Sequence, residues 1–219
     1  MRTLYGHPYS RAHRVMWMLK ELDLPFKHVP TSFTDGSTRA PDFLAINPNG
    51  RVPVLIDDGE TFVESLSINL YLAARYGGPL APAGPVQTAR AVEWSLWVAT
   101  EVERALLLAA ANLFLFPPAG RDADQAALAL RKLDRPFKVI DAHLARSAHL
   151  LGEQFSVADL NVASVLTLVP LARVPVDAYP ALAAWLHRCL ERPAAADWKP
   201  IHFTIPRPAD ASGILAMFV

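Results

Sequence analysis

The apolar and polar positions of the first 46 residues predict a strand, a helix, a second strand and a short helix. Arg2–Tyr5 is typical of a short strand. After Ser10, apolar residues recur at the spacing of one helix face, which predicts an amphipathic helix. These residues are Ala12, Val15, Met16, Leu19 and Leu22. Phe26–Val29 suits a second strand, and Pro41–Ile46 suits a short helix because proline is favoured at the first helical position.

A hairpin and a longer helix complete this N-terminal pattern. Asp58 and Gly59 lie between two apolar runs, and this dipeptide favours a two-residue turn between paired strands. A helix is expected over Ser65–Tyr76, because two glycines follow it. The order βαβαββα, with a proline before the third strand, predicts a thioredoxin-like domain over residues 1–77.

Residues 78–86 have the composition of a linker, rich in Gly, Pro and Ala and without a periodic pattern. The chain after it, residues 87–219, is predicted to form an all-helical bundle, so the fold class is α/β plus all-α. Helices are expected over residues 86–115, 122–149 with a bend at Pro136, 156–169 and 180–192. The tail from Asp197 ends in six apolar residues, and we expect it to pack on the helical domain.

The charge balance, the cysteine count and the spacing of the histidines argue against several classes of function. Lys plus Arg and Asp plus Glu are both 21 in 219 residues, so the formal net charge is zero and nucleic acid is not an expected partner. Cys189 is the one cysteine, which excludes an intramolecular disulfide and a CxxC motif. The seven histidines have no ligand spacing, so no metal site is expected. Apolar stretches stay short of the roughly 20 residues of a membrane span, and we expect a cytoplasmic protein without a membrane partner.

The segment from Val52 to Ser65 contains the clearest candidate binding groups. Pro53 interrupts the start of a strand, so the backbone groups of Val52 are expected to face a ligand, and a cis bond before the proline fits this context. The hairpin brings Val52 close to Glu64 and Ser65. Ser65 is expected to cap the following helix, where a hydroxyl and free amide groups suit a carboxylate, while Glu64 can pair with an ammonium group.

With these motifs, the chain resembles the cytosolic glutathione transferase family along most of its length. Val52-Pro53 stands where that family has its cis-proline loop, Glu64-Ser65 where it has an acidic residue and a serine, and residues 156–159 where it has a capping box. The resemblance implies a glutathione S-transferase that conjugates glutathione, its co-substrate, to a small hydrophobic electrophile in detoxification. The Val52 backbone would pair with the cysteinyl unit, and Glu64 and Ser65 would hold the γ-glutamyl end. A homodimer without a metal is also implied.

The same resemblance implies a hydroxyl group that stabilises the glutathione thiolate. Ser10, in the loop after the first strand, is our first candidate, because a donor beside a helix N-terminus lowers a thiol pKa. Tyr5 is the competing donor, since some branches of the family use an N-terminal tyrosine, and Tyr9 is a third. No cysteine occurs among the first 188 residues, which disfavours dithiol chemistry by the protein itself.

The glycyl carboxylate of glutathione needs a cation or a donor. Arg51 lies one residue before Val52, where several branches of the family place a basic side chain. Asn49 and Arg39 are alternatives. Gly50 stands where other branches have a histidine, so the class within the family stays open.

Other interpretations compete with this one. Ser10 and Ser65 could be simple helix N-caps. Bound glutathione could reduce a peroxide or disulfide, or cleave an ether or halide. A third possibility is a non-catalytic ligand carrier or interaction module, because fold does not determine function.

Overall fold

The computed structural model describes residues 1–198, and its N-terminal part is built on a mixed sheet in the strand order β2-β1-β3-β4. β1 runs parallel to β2 and antiparallel to β3, and β3 pairs with β4 through the turn at Asp58 and Gly59. The strands are β1 Arg2–Tyr5, β2 Phe26–Val29, β3 Val54–Asp57 and β4 Glu60–Val63. The predicted hairpin and thioredoxin-like order are therefore confirmed.

Helices cover both faces of this sheet. They are α1 Ala12–Glu21, α2 Pro41–Ile46 and α3 Ser65–Tyr76, and a 3-10 turn at Ser37–Arg39 precedes α2. Neighbouring residues of a strand face opposite sides of the sheet. Leu4 is fully buried in the core with residues of α1 and α3, whereas the ring of Tyr5 contacts Phe43 of α2. Ser10 thus lies beside α1 and Tyr5 lies toward α2.

The rest of the described chain is helical. Its helices are α4 Gly84–Trp97, α5 Arg104–Ala110, α6 Ala123–Leu144, α7 Val157–Leu166, α8 Leu168–Ala172 and α9 Pro180–Leu190, with 3-10 turns at Gly78–Leu80, Pro118–Gly120 and Pro193–Trp198. α7 is buried along its whole length and packs against α1, α3, α4 and α9. A helix that is buried on all sides needs such neighbours all round. None of the helices in residues 1–198 has the length and apolar content needed to cross a membrane.

The predicted capping box opens α7. Ser156 and Asp159 exchange hydrogen bonds at the helix start, and Asp159 also accepts from the Leu150 amide and from the Trp185 indole at 2.9 Å each. A single carboxylate therefore fixes the start of α7, the loop before it and α9.

A second set of contacts ties the helical part to α1. Arg192 donates to both carboxylate oxygens of Glu21, at 2.6 and 2.8 Å, and its guanidinium lies 3.9 Å from the ring centre of Phe155. Trp17 donates to the same carboxylate at 2.9 Å. The described domains share one continuous core.

Several expected element bounds differ from the structure. The helix expected over 86–115 is divided by π-helical segments at Val98–Glu103 and Ala111–Leu115. The helix expected to reach residue 149 ends at Leu144, and that expected over 156–169 is divided into α7 and α8. α4 begins at Gly84, inside the segment predicted as a linker. The domain bounds 1–77 and 87–219 stay predictions, and the packing of the apolar tail falls outside the described residues.

Candidate functional site

The loop after β1 and the loop before β3 meet at Gly6. A Cβ added there would lie 2.6 Å from the Ala12 Cβ, 3.3 Å from the Val52 Cβ and 3.5 Å from the Ser10 Oγ. Gly6 has a φ of 138°, which side chains rarely tolerate. The absence of a side chain at Gly6 therefore lets Ser10 and Val52 approach each other.

Ser10 lies in the turn before α1. Its hydroxyl donates to the His7 carbonyl at 2.7 Å and accepts from the Ala12 amide at 3.1 Å. The capping interpretation of Ser10 is thus compatible with the structure, although Arg11 is the residue that immediately precedes the helix. Rotation about one bond turns the same hydroxyl hydrogen away from the carbonyl, so Ser10 can also donate to a sulfur atom.

The two tyrosine candidates, Tyr5 and Tyr9, lie in different surroundings. The ring of Tyr5 packs edge-on against Phe43, with ring centres 6.2 Å apart, on the α2 side of the sheet. The ring of Tyr9 lies on His7 at 4.3 Å and is 46% exposed. Ser10 is the candidate donor for which the structure gives proximity to Val52.

The Val52-Pro53 peptide bond is cis, in agreement with the sequence analysis. The ladder between β1 and β3 begins only at Val54, which pairs with Tyr5. Within residues 1–198, no protein group hydrogen-bonds the backbone of Val52. Its amide and carbonyl are therefore available to pair with an extended peptide.

The start of α3 lies beside this edge. Glu64 has a φ of 67° and precedes the helix, and Ser65 is its first residue. Ser65 is therefore not the cap that the sequence analysis expects, because Glu64 makes the sharp exit from β4. The first intrahelical bond runs from the Ile68 amide to the Glu64 carbonyl, so the preceding amides have no intrahelical acceptor. Glu64 is exposed and Ser65 is buried.

A buried charge cluster that the sequence analysis missed supports Ser65. Arg14 of α1 donates to the Ser65 hydroxyl at 3.4 Å and to Glu103 at 2.8 Å, and Arg11 donates to Glu103 at 2.6 Å. Burial alone would raise the pKa of Glu103, but the positive charges of Arg14 and Arg11 and their hydrogen bonds lower that pKa to about 2. Glu103 is therefore a carboxylate at neutral pH. The sequence feature that could have indicated this cluster is Glu103 itself, an ionisable residue next to Val102 on an otherwise apolar helix face.

His13 links the Ser10 turn to the helical domain. Its Nδ1 lies 2.8 Å from the Ser10 carbonyl oxygen, and its Nε2 lies 3.0 Å from the Ser164 carbonyl oxygen. Burial, followed by the positive charge of Arg14, lowers the pKa of His13 to about 4. At neutral pH the ring has one N–H group and donates to one of the two carbonyls.

The candidates for the glycyl carboxylate lie around Gly50. Arg51 is exposed, and its carbonyl accepts from the Asn47 side chain at 2.8 Å. Arg39 fills the space that a side chain at position 50 would need, because a Cβ built on Gly50 would be 2.6 Å from the Arg39 Nη1. Arg39 also donates to the Asn49 carbonyl at 3.5 Å. The guanidinium of Arg39 therefore lies where a side chain at position 50 would lie.

Cys189 and the two tryptophans of α4 are packed among other side chains. Cys189 is buried, and burial raises the pKa of its thiol. Trp94 packs edge-on against Trp97 and against His143, with ring centres 5.1 Å apart in each pair. Residues 1–198 contain no group of three His, Cys, Asp or Glu side chains arranged to hold a metal.

Comparison with known proteins gives matches to both the N-terminal and the C-terminal part of the chain. The family model for the glutathione S-transferase N-terminal domain matches residues 2–74, and the model for the C-terminal domain matches residues 104–193. Glutathione S-transferase 3 of Zea mays is 38% identical over 204 residues, which cover 87% of this chain and 90% of that protein. GstB of Escherichia coli (strain K12) is 32% identical over 198 residues, covering 89% of this chain and 95% of that protein.

A solved structure extends the likeness to the fold. Glutathione S-transferase I from mais, in complex with an atrazine glutathione conjugate, superposes with a TM-score of 0.81 at 31% identity, over 92% of this chain and 99% of that one. The thioredoxin-like domain and the helical domain are matched together. The chain therefore belongs to the glutathione S-transferase family.

Proposed function

We propose that this protein binds glutathione at the junction of the Ser10 turn, the Val52 edge and the start of α3, and transfers it to a hydrophobic electrophile. The reaction class follows from membership of the family, whose matched relatives are named glutathione S-transferases. The observation that carries the assignment of the site is the proximity of the Ser10 hydroxyl to Val52, whose backbone is unpaired within residues 1–198.

Glutathione fits this junction as an added strand followed by an anion at a helix start. The cysteinyl unit pairs with the Val52 amide and carbonyl, which Pro53 leaves outside the sheet. The α-carboxylate of the γ-glutamyl unit accepts from the Ser65 hydroxyl and the first-turn amides of α3, where the helix dipole is positive. Glu64, exposed beside them, pairs with the α-ammonium.

Ser10 acts as the donor to the sulfur. A hydrogen bond to the thiolate favours the charged form and lowers the thiol pKa, and about two units correspond to about 2.7 kcal/mol. Tyr5 is the weaker candidate because its ring packs toward α2. Catalysis then consists of positioning and of a raised thiolate population at neutral pH.

The glycyl carboxylate is held by Arg39 or Arg51. Arg39 has the stronger support, because its guanidinium lies against Gly50 and the Asn49 carbonyl, two and three residues before Val52. Arg51 is exposed on the same loop.

The second substrate is a small apolar electrophile, consistent with detoxification. Peroxide or disulfide reduction and ether or halide cleavage by bound glutathione are the alternatives within the same fold. They are less favoured because no cysteine lies near Ser10 and the matched relatives are named transferases. A non-catalytic carrier is less favoured for the same reason.

The protein is a cytoplasmic homodimer in this proposal. An apolar row on α4 supports an interface, since Val92 is 38% and Leu96 61% exposed in the single chain. Sedimentation should give a species of about twice 24.0 kDa. A stable monomer would contradict the dimer without affecting the glutathione site.

The proposal is tested by ultraviolet difference titration of enzyme-bound glutathione between about pH 5 and pH 9. A bound thiol with a pKa well below that of free glutathione supports the activating site. Binding without a lowered pKa contradicts the role of Ser10, and absence of binding contradicts the site as a whole.

A further inference from the structure

Asn161 is a buried amide of α7 whose side-chain hydrogen bonds all reach other helices. Its Nδ2 donates to the Leu66 carbonyl at 3.1 Å and to the Ser95 hydroxyl at 2.8 Å. Its Oδ1 accepts from the Asn69 Nδ2 at 2.9 Å. The side chain is fully buried, and both its donor hydrogens and its acceptor have partners. Asn161 therefore joins α7 to α3 at two points and to α4 at one.

The Leu66 carbonyl belongs to the first turn of α3. The peptide unit that contains it also contains the Ser67 N–H, which points toward the helix N-terminus. That N–H precedes the first intrahelical bond, from Ile68 to Glu64, and has no intrahelical acceptor. A peptide unit is planar, so fixing its carbonyl end also fixes the direction of its N–H. A donor on the carbonyl further polarises the N–H.

The second contact of Asn161 with α3, made through Asn69, reaches the same helix start by another route. Asn69 donates both to Asn161 and to the Arg14 carbonyl, the latter at 3.3 Å. The Arg14 side chain in turn donates to the Ser65 hydroxyl at 3.4 Å. The amide of Asn161 thus lies behind two groups proposed to receive the γ-glutamyl carboxylate: the Ser67 N–H and the Ser65 hydroxyl.

We propose that Asn161, although it belongs to the helical domain and does not contact the ligand, is a positioning residue for the γ-glutamyl end of glutathione. The proposal rests on the proposed function. Asn161 holds the first turn of α3 in the orientation that suits a carboxylate. The hydrogen bonds of its side chain reach Leu66, Asn69 and Ser95 and not the Ser10 turn, so it acts on binding of the γ-glutamyl unit and not on the sulfur.

The test compares glutathione with cysteinylglycine, which lacks the γ-glutamyl unit, as ligands of the wild-type protein and of Asn161→Ala. The variant should bind glutathione about five- to tenfold more weakly, the effect of one well-placed hydrogen bond. Its affinity for cysteinylglycine should be unchanged. With glutathione as substrate, KM should rise while kcat and the pKa of the bound thiol stay constant.

A matched control is available on the same helix. Ser164 is fully buried, and its hydroxyl donates only along α7, to the Asn161 main-chain carbonyl at 3.0 Å. Ser164→Ala should lower thermal stability without changing the ratio of the two affinities. Asn161→Ser is a second, milder variant: its hydroxyl occupies the position of the asparagine Cγ and falls one atom short of Leu66.

The outcomes separate this inference from the proposed function. A wild-type protein that does not prefer glutathione to cysteinylglycine overturns both. A wild-type preference that survives unchanged in Asn161→Ala or Asn161→Ser overturns this inference alone. An equal loss of both ligands, or a loss matched by Ser164→Ala, also overturns it, because that pattern reports general destabilisation.

Discussion

Replacement of Glu103 by glutamine tests whether the ion pairs of Glu103 with Arg14 and Arg11 stabilise the packing of the two domains. Glu103 ends the π-helical segment Val98–Glu103 and faces α1, where Arg14 and Arg11 donate to its carboxylate at 2.8 and 2.6 Å. Arg14 is itself buried, and its Nε has no hydrogen-bond partner in the described part of the chain. Glu103→Gln keeps the shape of the side chain and removes its charge, so Arg14 is left buried without a counterion.

The expected loss in the free energy of unfolding follows from the pKa of Glu103. A value lowered from 4.5 to about 2 corresponds to about 3 kcal/mol of native-state stabilisation of the charged form. This agrees with the cost of about 3 to 5 kcal/mol expected when one partner of a buried pair is removed. Because the native pKa lies below the unfolded one, the stabilisation is fully present above about pH 4.5 and is lost as pH falls toward 2.

The assay is urea denaturation of wild-type protein and Glu103→Gln at equal protein concentration, at pH 7 and at pH 3.5. The variant should be less stable by about 3 kcal/mol at pH 7, and the difference should shrink by about 1.4 kcal/mol at pH 3.5. Glutathione affinity should also fall, since Arg14 contacts the Ser65 hydroxyl as well.

Glu93→Gln is the matched control, because Glu93 is an exposed residue of α4 paired with Arg90 on the same helix. Exposed pairs contribute at most about 1 kcal/mol, and the control should show little loss at either pH. A Glu103→Gln defect that is no larger than the control, or that is the same at both pH values, would refute the assignment of a charged, stabilising Glu103.

Three further predictions concern the ligand groups and α7. Ser10→Ala should raise the pKa of the bound thiol by about one to two units, as expected for a lost hydrogen bond to a charged group, whereas Tyr5→Phe should leave it unchanged in the same difference titration. Arg39→Ala should raise KM for glutathione about tenfold and Arg51→Ala less, while kcat stays constant; the reverse order in steady-state kinetics would assign the glycyl carboxylate to Arg51. Asp159→Ala should reduce the free energy of unfolding by about 3 kcal/mol or more in urea, because it leaves buried donors of α7 and α9 unsatisfied, and a loss below 1 kcal/mol would contradict that account.

The N-terminal unit could be predicted because its signals are local. Asp58 and Gly59 define the turn by their backbone preferences, and the apolar runs on either side pair only in the observed register. The proline before β3 and the spacing of buried positions on α1 are equally short-range. The ligand-binding residues proposed for this segment therefore lie on strands and helices that were predicted correctly.

The bounds of the helical domain were less predictable, since distant partners determine them. The apolar pattern continues past Leu144, but the Leu150 amide donates to Asp159 of the next helix instead of continuing α6. Neither π-helical segment contains a glycine or a proline that would have indicated an irregular turn. One extra residue in a turn changes which side chains face the core, and this places Glu103 toward α1.

The pairing of Arg14 with Glu103 could not be inferred from either residue alone. The two lie 89 positions apart, and each interrupts an apolar helix face in a way that is also typical of a solvated charge. The start of α3 was mistaken for a similar reason: a serine after a strand predicts a cap, whereas the positive φ of Glu64 moves the helix start by one residue. A positive φ at a residue other than glycine is uncommon and is not apparent from composition.

The groups proposed to bind glutathione belong to the thioredoxin-like domain, yet the helical domain supports three of them from behind. Glu103 supports Ser65 through Arg14. Asn161 donates to the Leu66 carbonyl. Ser164 is linked to the Ser10 turn through His13. These polar contacts are buried or partly buried, and such contacts are effective only when both domains are packed together, since water would otherwise satisfy the same groups. The α/β domain therefore contains the proposed ligand contacts, but their alignment depends on the helical domain, and this gives a physical reason for the two domains to share one continuous core.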